Sequence, residues 1–194
     1  MAQPCQIHEC KTITVGSFPG PIAITPDSKT AYVIAGGRVI PIGTATNKVG
    51  KAIMVGSRPV AIVITPNGKI AYVANYGSNS VTPINTATNT ALKAIKVGSG
   101  PGAGGPGAIA ITPNGKTVYV SNFSSGTVTP IQTATNKPLK AITVGPYPAD
   151  IAITPNGKTA YVTSGAGVTP IDTATSKAGK LITVISNGAI AITP

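Results

Sequence analysis

Short apolar runs rich in β-branched residues alternate with polar turns along the whole chain. Ile22-Ala23-Ile24, Ala61-Ile62-Val63-Ile64, the run 108–111 and Ile151-Ala152-Ile153 each stop at Thr-Pro and a turn pair: Asp27-Ser28, Asn67-Gly68, Asn114-Gly115 and Asn156-Gly157. Asn-Gly between two apolar runs predicts a hairpin, because both residues accept the positive φ of a tight turn. A second strand follows and carries Tyr32, Tyr72, Tyr119 or Tyr161. After a Gly, Ser and Asn loop comes a third strand, such as 38–42 or 80–84, and Thr-Ala-Thr-Asn or a variant turns the chain into a fourth, such as 51–55 or 140–144. No stretch has helical periodicity.

The pattern repeats. The run 64–75, Ile-Thr-Pro-Asn-Gly-Lys-Ile-Ala-Tyr-Val-Ala-Asn, returns at 24–35, 111–122 and 153–164 and begins again at 192–194. Four antiparallel strands per unit of about 42 residues predict an all-β fold, a β-propeller built from four-stranded blades. The predicted units are 11–50, 51–92, 93–139 and 140–179, four complete blades, with a redundant two-strand segment at 180–194 and a non-repeat leader at 1–10. Pro41, Pro83, Pro130 and Pro170 fall inside the third strands. A proline cannot donate to a ladder, so each blade should carry a bulge or an unpaired position there.

Tyr72-Val73-Ala74-Asn75, with the run 62–68 before it and 81–89 after it, resembles the YVTN-type β-propeller repeat. The likeness covers residues 11–194 and recurs in register, with Ile34-Ala35 and Thr163-Ser164 departing from the motif's usual ending in the outer units. It implies a bacterial or archaeal surface-layer or secreted protein, hence an extracellular or cell-surface location. It also implies, through the related seven-bladed lactonases, an alternative reading as a propeller hydrolase.

The segment 11–26 is echoed at 180–194. A four-bladed ring would leave one copy unpartnered, so the chain is expected to be a piece of a larger ring, to form a ring shared by two chains, or to be an open arc that extends into a filament. Self-association is therefore the expected partnership.

Composition narrows the chemistry. Fifteen basic residues against four acidic give a net charge of +11. Lys29, Lys69, Lys116 and Lys158 follow the first turn of each unit, and Lys48, Lys137 and Lys177, with Lys51, Lys93, Lys140 and Lys180 just beyond, belong to the second. Nearly all the positive charge should thus ring one face, as a solvated surface or as an attractor of an acidic cell-wall polymer. Nucleic acid is disfavoured, since the arginines are only Arg38 and Arg58 and no aromatic platform lies among the lysines.

The opposite, neutral loops bring Phe18, Arg58, Tyr76, Phe123, Tyr147 and Asp150 towards one end of the channel, where aromatics could anchor a glycan or peptide. The Gly-rich loop 98–107 lacks the helix and lysine of a phosphate cradle. Cys5 and Cys10, flanking His8 and Glu9, suggest a local disulfide more than a metal site. His8 is the lone histidine. No cofactor, metal or catalytic set is expected. The leader lacks a signal peptide's basic flank and apolar core, and no apolar run approaches membrane-spanning length. The preferred expectation is a non-enzymatic structural, adhesive or ligand-binding scaffold.

Overall fold

The computed structural model describes residues 12–98, 105–184 and 188–192. The leader with Cys5 and Cys10, and most of the Gly-rich loop, lie outside the described residues. Four antiparallel sheets follow one another along the chain. Blade one contains Ile22–Ile24, Thr30–Ala35, Arg38–Gly43, Lys48–Val49 and Ile53–Met54. Blade two contains Pro59–Ile64, Ile70–Asn75, Ser80–Asn85, Thr90–Ala91 and Ile95–Lys96. Blade three contains Pro106–Ile111, Thr117–Asn122, Thr127–Gln132, Lys137–Pro138 and Ile142–Thr143. Blade four contains Asp150–Ile153, Thr159–Ser164, Gly167–Asp172 and Lys177–Ala178, and an isolated bridge joins Val168 to Ile182.

The first turn differs from the expected hairpin in one respect. Only its second residue takes positive φ: Ser28 at 59°, Gly68 at 71°, Gly115 at 68° and Gly157 at 70°. Asn67 is there for its side chain. Its Oδ1 accepts from Thr65 Oγ1 at 2.7 Å and from the Lys69 N–H at 3.0 Å, while the Gly68 N–H closes the turn onto the Thr65 carbonyl. Asp27 makes the same two contacts in blade one.

The third-strand prolines mark the interruption that the sequence predicts. Ile42 pairs with Val49 and Val39 with Ile53, so Ile40 and Pro41 face three residues, Gly50, Lys51 and Ala52. The same extra residue occurs opposite Pro83, Pro130 and Pro170. Each proline carbonyl accepts a bond from the bulged segment: Gly50, Leu92, Leu139 and Gly179 donate at 2.7–2.8 Å. A strand residue directs its nitrogen and its carbonyl to the same side, so the missing N–H faces the bulge. The ladder to the tyrosine strand, with Tyr32 opposite Pro41 and Tyr72 opposite Pro83, is unbroken. The fourth strand is therefore two short pieces, the first of which the sequence reading assigns to the turn. Lys51, Lys93, Lys140 and Lys180 sit in these bulges at the outer edge, which corrects their assignment to the basic turn face.

The core lies between blades. Tyr32, Ile34, Val39 and Ile53 of blade one pack on Ile62, Ala71, Val73 and Ile84 of blade two. Tyr72, Val81, Ile95 and Val97 meet Ile109, Val118, Val120 and Ile131 in the next seam. Tyr119, Val128, Ile142 and Val144 meet Ile151, Ala160, Val162 and Ile171 in the third. Strand alternation produces this arrangement, since one sheet face meets the preceding blade and the other the following blade. Each tyrosine also crosses its seam. Tyr32 Oη donates to Asn89 Oδ1 and Tyr72 Oη to Asn136 Oδ1, both at 2.6 Å, and Tyr119 Oη reaches Ser176 and, at 3.4 Å, the Thr173 carbonyl. Burial raises the pKa of all three phenols, that of Tyr72 to about 12. Contacts between first strands run from blade one to two, two to three and three to four. With Ile22 and Ile24 of blade one more than half exposed, the described blades form an open arc.

Candidate binding faces

The loops of the neutral face share a backbone device. Phe18, Arg58 and Tyr147 occupy equivalent places in Ser17-Phe18-Pro19, Ser57-Arg58-Pro59 and Pro146-Tyr147-Pro148, and all three adopt left-handed backbone, with φ of 49°, 50° and 53°. That conformation costs a bulky residue on the order of 1–2 kcal/mol, and glycine would adopt it freely. Neighbouring turns hold it in place. The Gly36 N–H donates to the Ser17 carbonyl, the Tyr76 and Gly77 N–H groups to Arg58 and Ser57, and the Gly165 N–H to Pro146.

The six residues expected on this face are only partly assembled. Arg58 lies over the Tyr76 ring, with Cζ 4.9 Å from the centroid. Phe123 and Tyr147 pair across a blade boundary at 5.1 Å between centroids and 40° between planes. Such contacts contribute about 0.5–1.5 kcal/mol each. Phe18 is 93 % exposed and belongs to neither pair, and Tyr147 is 57 % exposed. Asp150 stands apart on the first strand of blade four. Its Oδ1 accepts from the Ile151 N–H at 2.8 Å and its Oδ2 from the Ile190 N–H at 3.1 Å, so both carboxylate oxygens bind backbone.

Behind this face lies a buried network that the sequence reading does not identify. Asn75 Nδ2 donates to Ser80 Oγ and Thr82 Oγ1, and Asn122 Nδ2 to Thr127 Oγ1 and Thr129 Oγ1, at 2.9–3.2 Å. Each asparagine's Oδ1 has no hydrogen bond among the described residues. The signal was there in the last residue of the repeated Tyr-Val-x-Asn. A second signal was the glycine of the approaching loop. A Cβ on Gly56 or Gly98 would lie 2.7 Å from Asn75 or Asn122, whereas one on Gly16, in the blade with Ala35, would meet nothing within 4 Å.

The basic face has grooves between blades. One, of about 510 Å³, is bordered by Thr25, Asp27, Asn67, Gly68 and Thr86, and a second, of about 630 Å³, by Lys69, Asn85, Gly115 and Thr133. Lys69 borders the second groove, and Lys29, Lys116 and Lys158, at the equivalent positions of the other blades, are exposed like it. Thr25 Oγ1 and the Lys29 N–H hold the Asp27 carboxyl below its ordinary pKa, and Thr175 does the same for Asp172. The threonines are also engaged, because Thr44, Thr86, Thr133 and Thr173 donate to carbonyls of the first turn and tie the two turns together. Among the described residues, no three of His, Cys, Asp and Glu cluster as a metal site. No helix among them is long and apolar enough to cross a membrane.

A family model described as "Lactonase, 7-bladed beta-propeller" matches residues 2–105, more than half of the chain. The chain belongs to that family. Among solved structures, this lactonase-family propeller is similar to Kuenenia stuttgartiensis hydrazine synthase, at 28% identity and a TM-score of 0.77, over 91% of this chain and 52% of that one. It is also similar to a functionally unknown protein from Desulfotomaculum acetoxidans DSM 771, at 21% identity and a TM-score of 0.73, over 89% of this chain and 58% of that one. The dihydro-heme d1 dehydrogenase NirN shares the fold at 16% identity and a TM-score of 0.73, over 88% and 38% of the two chains. The chain thus spans between about two fifths and three fifths of the length of these structures. No curated protein sequence matches it.

Proposed function

We propose that this chain is a non-enzymatic binding module of the lactonase-type propeller, and that its neutral loop face takes a glycan. The observation that carries the reading is the left-handed backbone at Phe18, Arg58 and Tyr147. A fold that needed only the turn would be relieved by glycine at each place, and strain kept under bulky, outward side chains points to their use. Aromatic rings on a rigid rim, with one guanidinium among them, suit the apolar faces and hydroxyls of sugar rings. The likeness of Tyr72-Val73-Ala74-Asn75 to the YVTN repeat supports a cell-surface setting, where glycans abound.

Family membership favours a second reading, a lactonase-like hydrolase. Asp150 is its best candidate base, but with both oxygens accepting backbone N–H groups it is poorly placed to take a proton from water. Calorimetric titration with soluble chito- and cello-oligosaccharides tests the binding reading. Phe18→Ala should weaken binding by roughly tenfold or more with melting temperature unchanged, and Tyr147→Ala should weaken it as much while lowering the melting temperature slightly, because the contact with Phe123 is lost. Lactone turnover that disappears in Asp150→Asn would instead establish the hydrolase.

A further inference from the structure

Besides the grooves of the basic face, the outer rim carries a cleft at the boundary of blades two and three, where Ile95–Lys96 stands beside Lys137–Pro138. Its volume is about 710 Å³, and Lys93, Lys96 and Lys137 border it together with Leu92, Asn136 and Pro138. The three lysines are exposed, no acidic residue lines the cleft, and none of the three has an ion pair among the described residues. Like charges set side by side repel, so a rim built only to hold its strands gains nothing from gathering them.

The equivalent boundaries differ. Between blades one and two, Met54 and Thr90 occupy the places of Lys96 and Lys137, and Lys51 alone carries charge in a cleft of about 540 Å³. Between blades three and four, Thr143 replaces Lys96, and Asp172 stands opposite Lys177 where Gln132 stands opposite Lys137. Lysines that merely keep a strand edge from pairing would be needed equally at all three boundaries, and the first does with one.

The core fixes one further donor in the cleft. Tyr72 Oη donates to Asn136 Oδ1 at 2.6 Å, which sets the sense of the amide and leaves Nδ2 without a partner among the described residues. Asn136 is itself held in left-handed backbone, with φ of 54°. At the third boundary Ser176 stands in that place and offers no amide. Beside these donors, Leu92 and Pro138 supply exposed apolar surface.

We propose that this cleft binds an acidic polysaccharide. The ammonium groups of Lys93, Lys96 and Lys137 pair with carboxylates of the chain, Asn136 Nδ2 donates to a ring hydroxyl, and Leu92 and Pro138 lie against ring C–H faces. The site is separate from the neutral loop face and does not rest on the reading given for it. Lysine ammonium groups are point charges that suit single carboxylates spaced along a polymer, and the cleft has no arginine to grip a phosphate on two oxygens. The apolar wall favours sugar rings over a polyphosphate, which has no apolar face.

A short oligogalacturonate titrated into the isotope-labelled full chain, followed by amide chemical shifts, tests this. The shifts should concentrate in residues 92–96 and 135–138. Lys96→Ala combined with Lys137→Ala should weaken binding by roughly tenfold. Lys48→Ala combined with Lys51→Ala removes the same charge one blade away and should weaken it by less than about twofold. The methyl-esterified oligomer should not bind, and inorganic polyphosphate of matched charge should bind several-fold more weakly. Five outcomes would each overturn the proposal: no binding, shifts centred on another face, equal losses in the two double variants, binding of the esterified oligomer, or polyphosphate held as tightly as the uronate.

Discussion

The seam between blades two and three and the two outer faces of the arc are built from the same residue types, yet they are different physical objects. In the seam, Tyr72, Val81, Val118, Val120 and Ile131 are all fully buried, and the one phenol hydroxyl present finds an asparagine. At the ends, Ile22 and Ile182 are about half exposed, and Tyr161 and Asn47 make no hydrogen bond among the described residues. A blade of this chain therefore has no stability of its own comparable to that of a domain. Each contributes half of a core, and stability is close to a sum over seams, as in other repeat proteins. The comparison also explains the repeat. The tyrosine of one unit and the asparagine of the next, or Ser176 in the last blade, form one interaction, which ties each unit to its neighbour.

The largest effect that sharpens this contrast is truncation of equivalent tyrosines. Tyr72→Ala should cost about 3–5 kcal/mol by emptying a closed seam. Tyr161→Ala, at the half-buried equivalent, should cost less than about 1 kcal/mol in the single chain, and urea melts of the two variants measure the difference. Equal losses would mean that the ends are as closed as the interior.

A smaller effect is set by pH. The phenol of Tyr72 is raised from its ordinary 10.0 to about 12 by burial, so the folded state favours the neutral form. Its contribution is whole below pH 10 and is lost as pH rises through about 12. The loss is on the order of 2 kcal/mol. Alkaline melts of Tyr72→Phe should lack that loss. At neutral pH the same variant should be only about 1 kcal/mol weaker than the native chain, because Asn136 loses its donor.

Much of the fold was legible because the repeat reports the same answer four times. Strand order, the tyrosine strand and the proline interruption all follow from local chemistry that recurs in register. The turn was harder to read. Asn67 matters for the two bonds its Oδ1 accepts, and an Asn-Gly pair looks the same whether asparagine supplies backbone freedom or a side-chain acceptor. Lys51 and its equivalents were misplaced because a bulge and a turn share the same polar composition. The candidate site was less legible. Phe18, Arg58 and Tyr147 could be recognised as loop residues, but their left-handed backbone depends on bonds from loops a strand or more away. Asp150 carries the charge of a functional residue, and it is engaged with backbone that the sequence could not bring near.

Hydrogen exchange followed residue by residue, at low protein concentration, tests the seam account most directly. It predicts that amides of Ile70–Asn75 and Thr117–Asn122 exchange only through global unfolding, whereas Ile182 and residues 12–15 exchange orders of magnitude faster. Uniform protection from residue 12 to residue 184 in the single chain would contradict it.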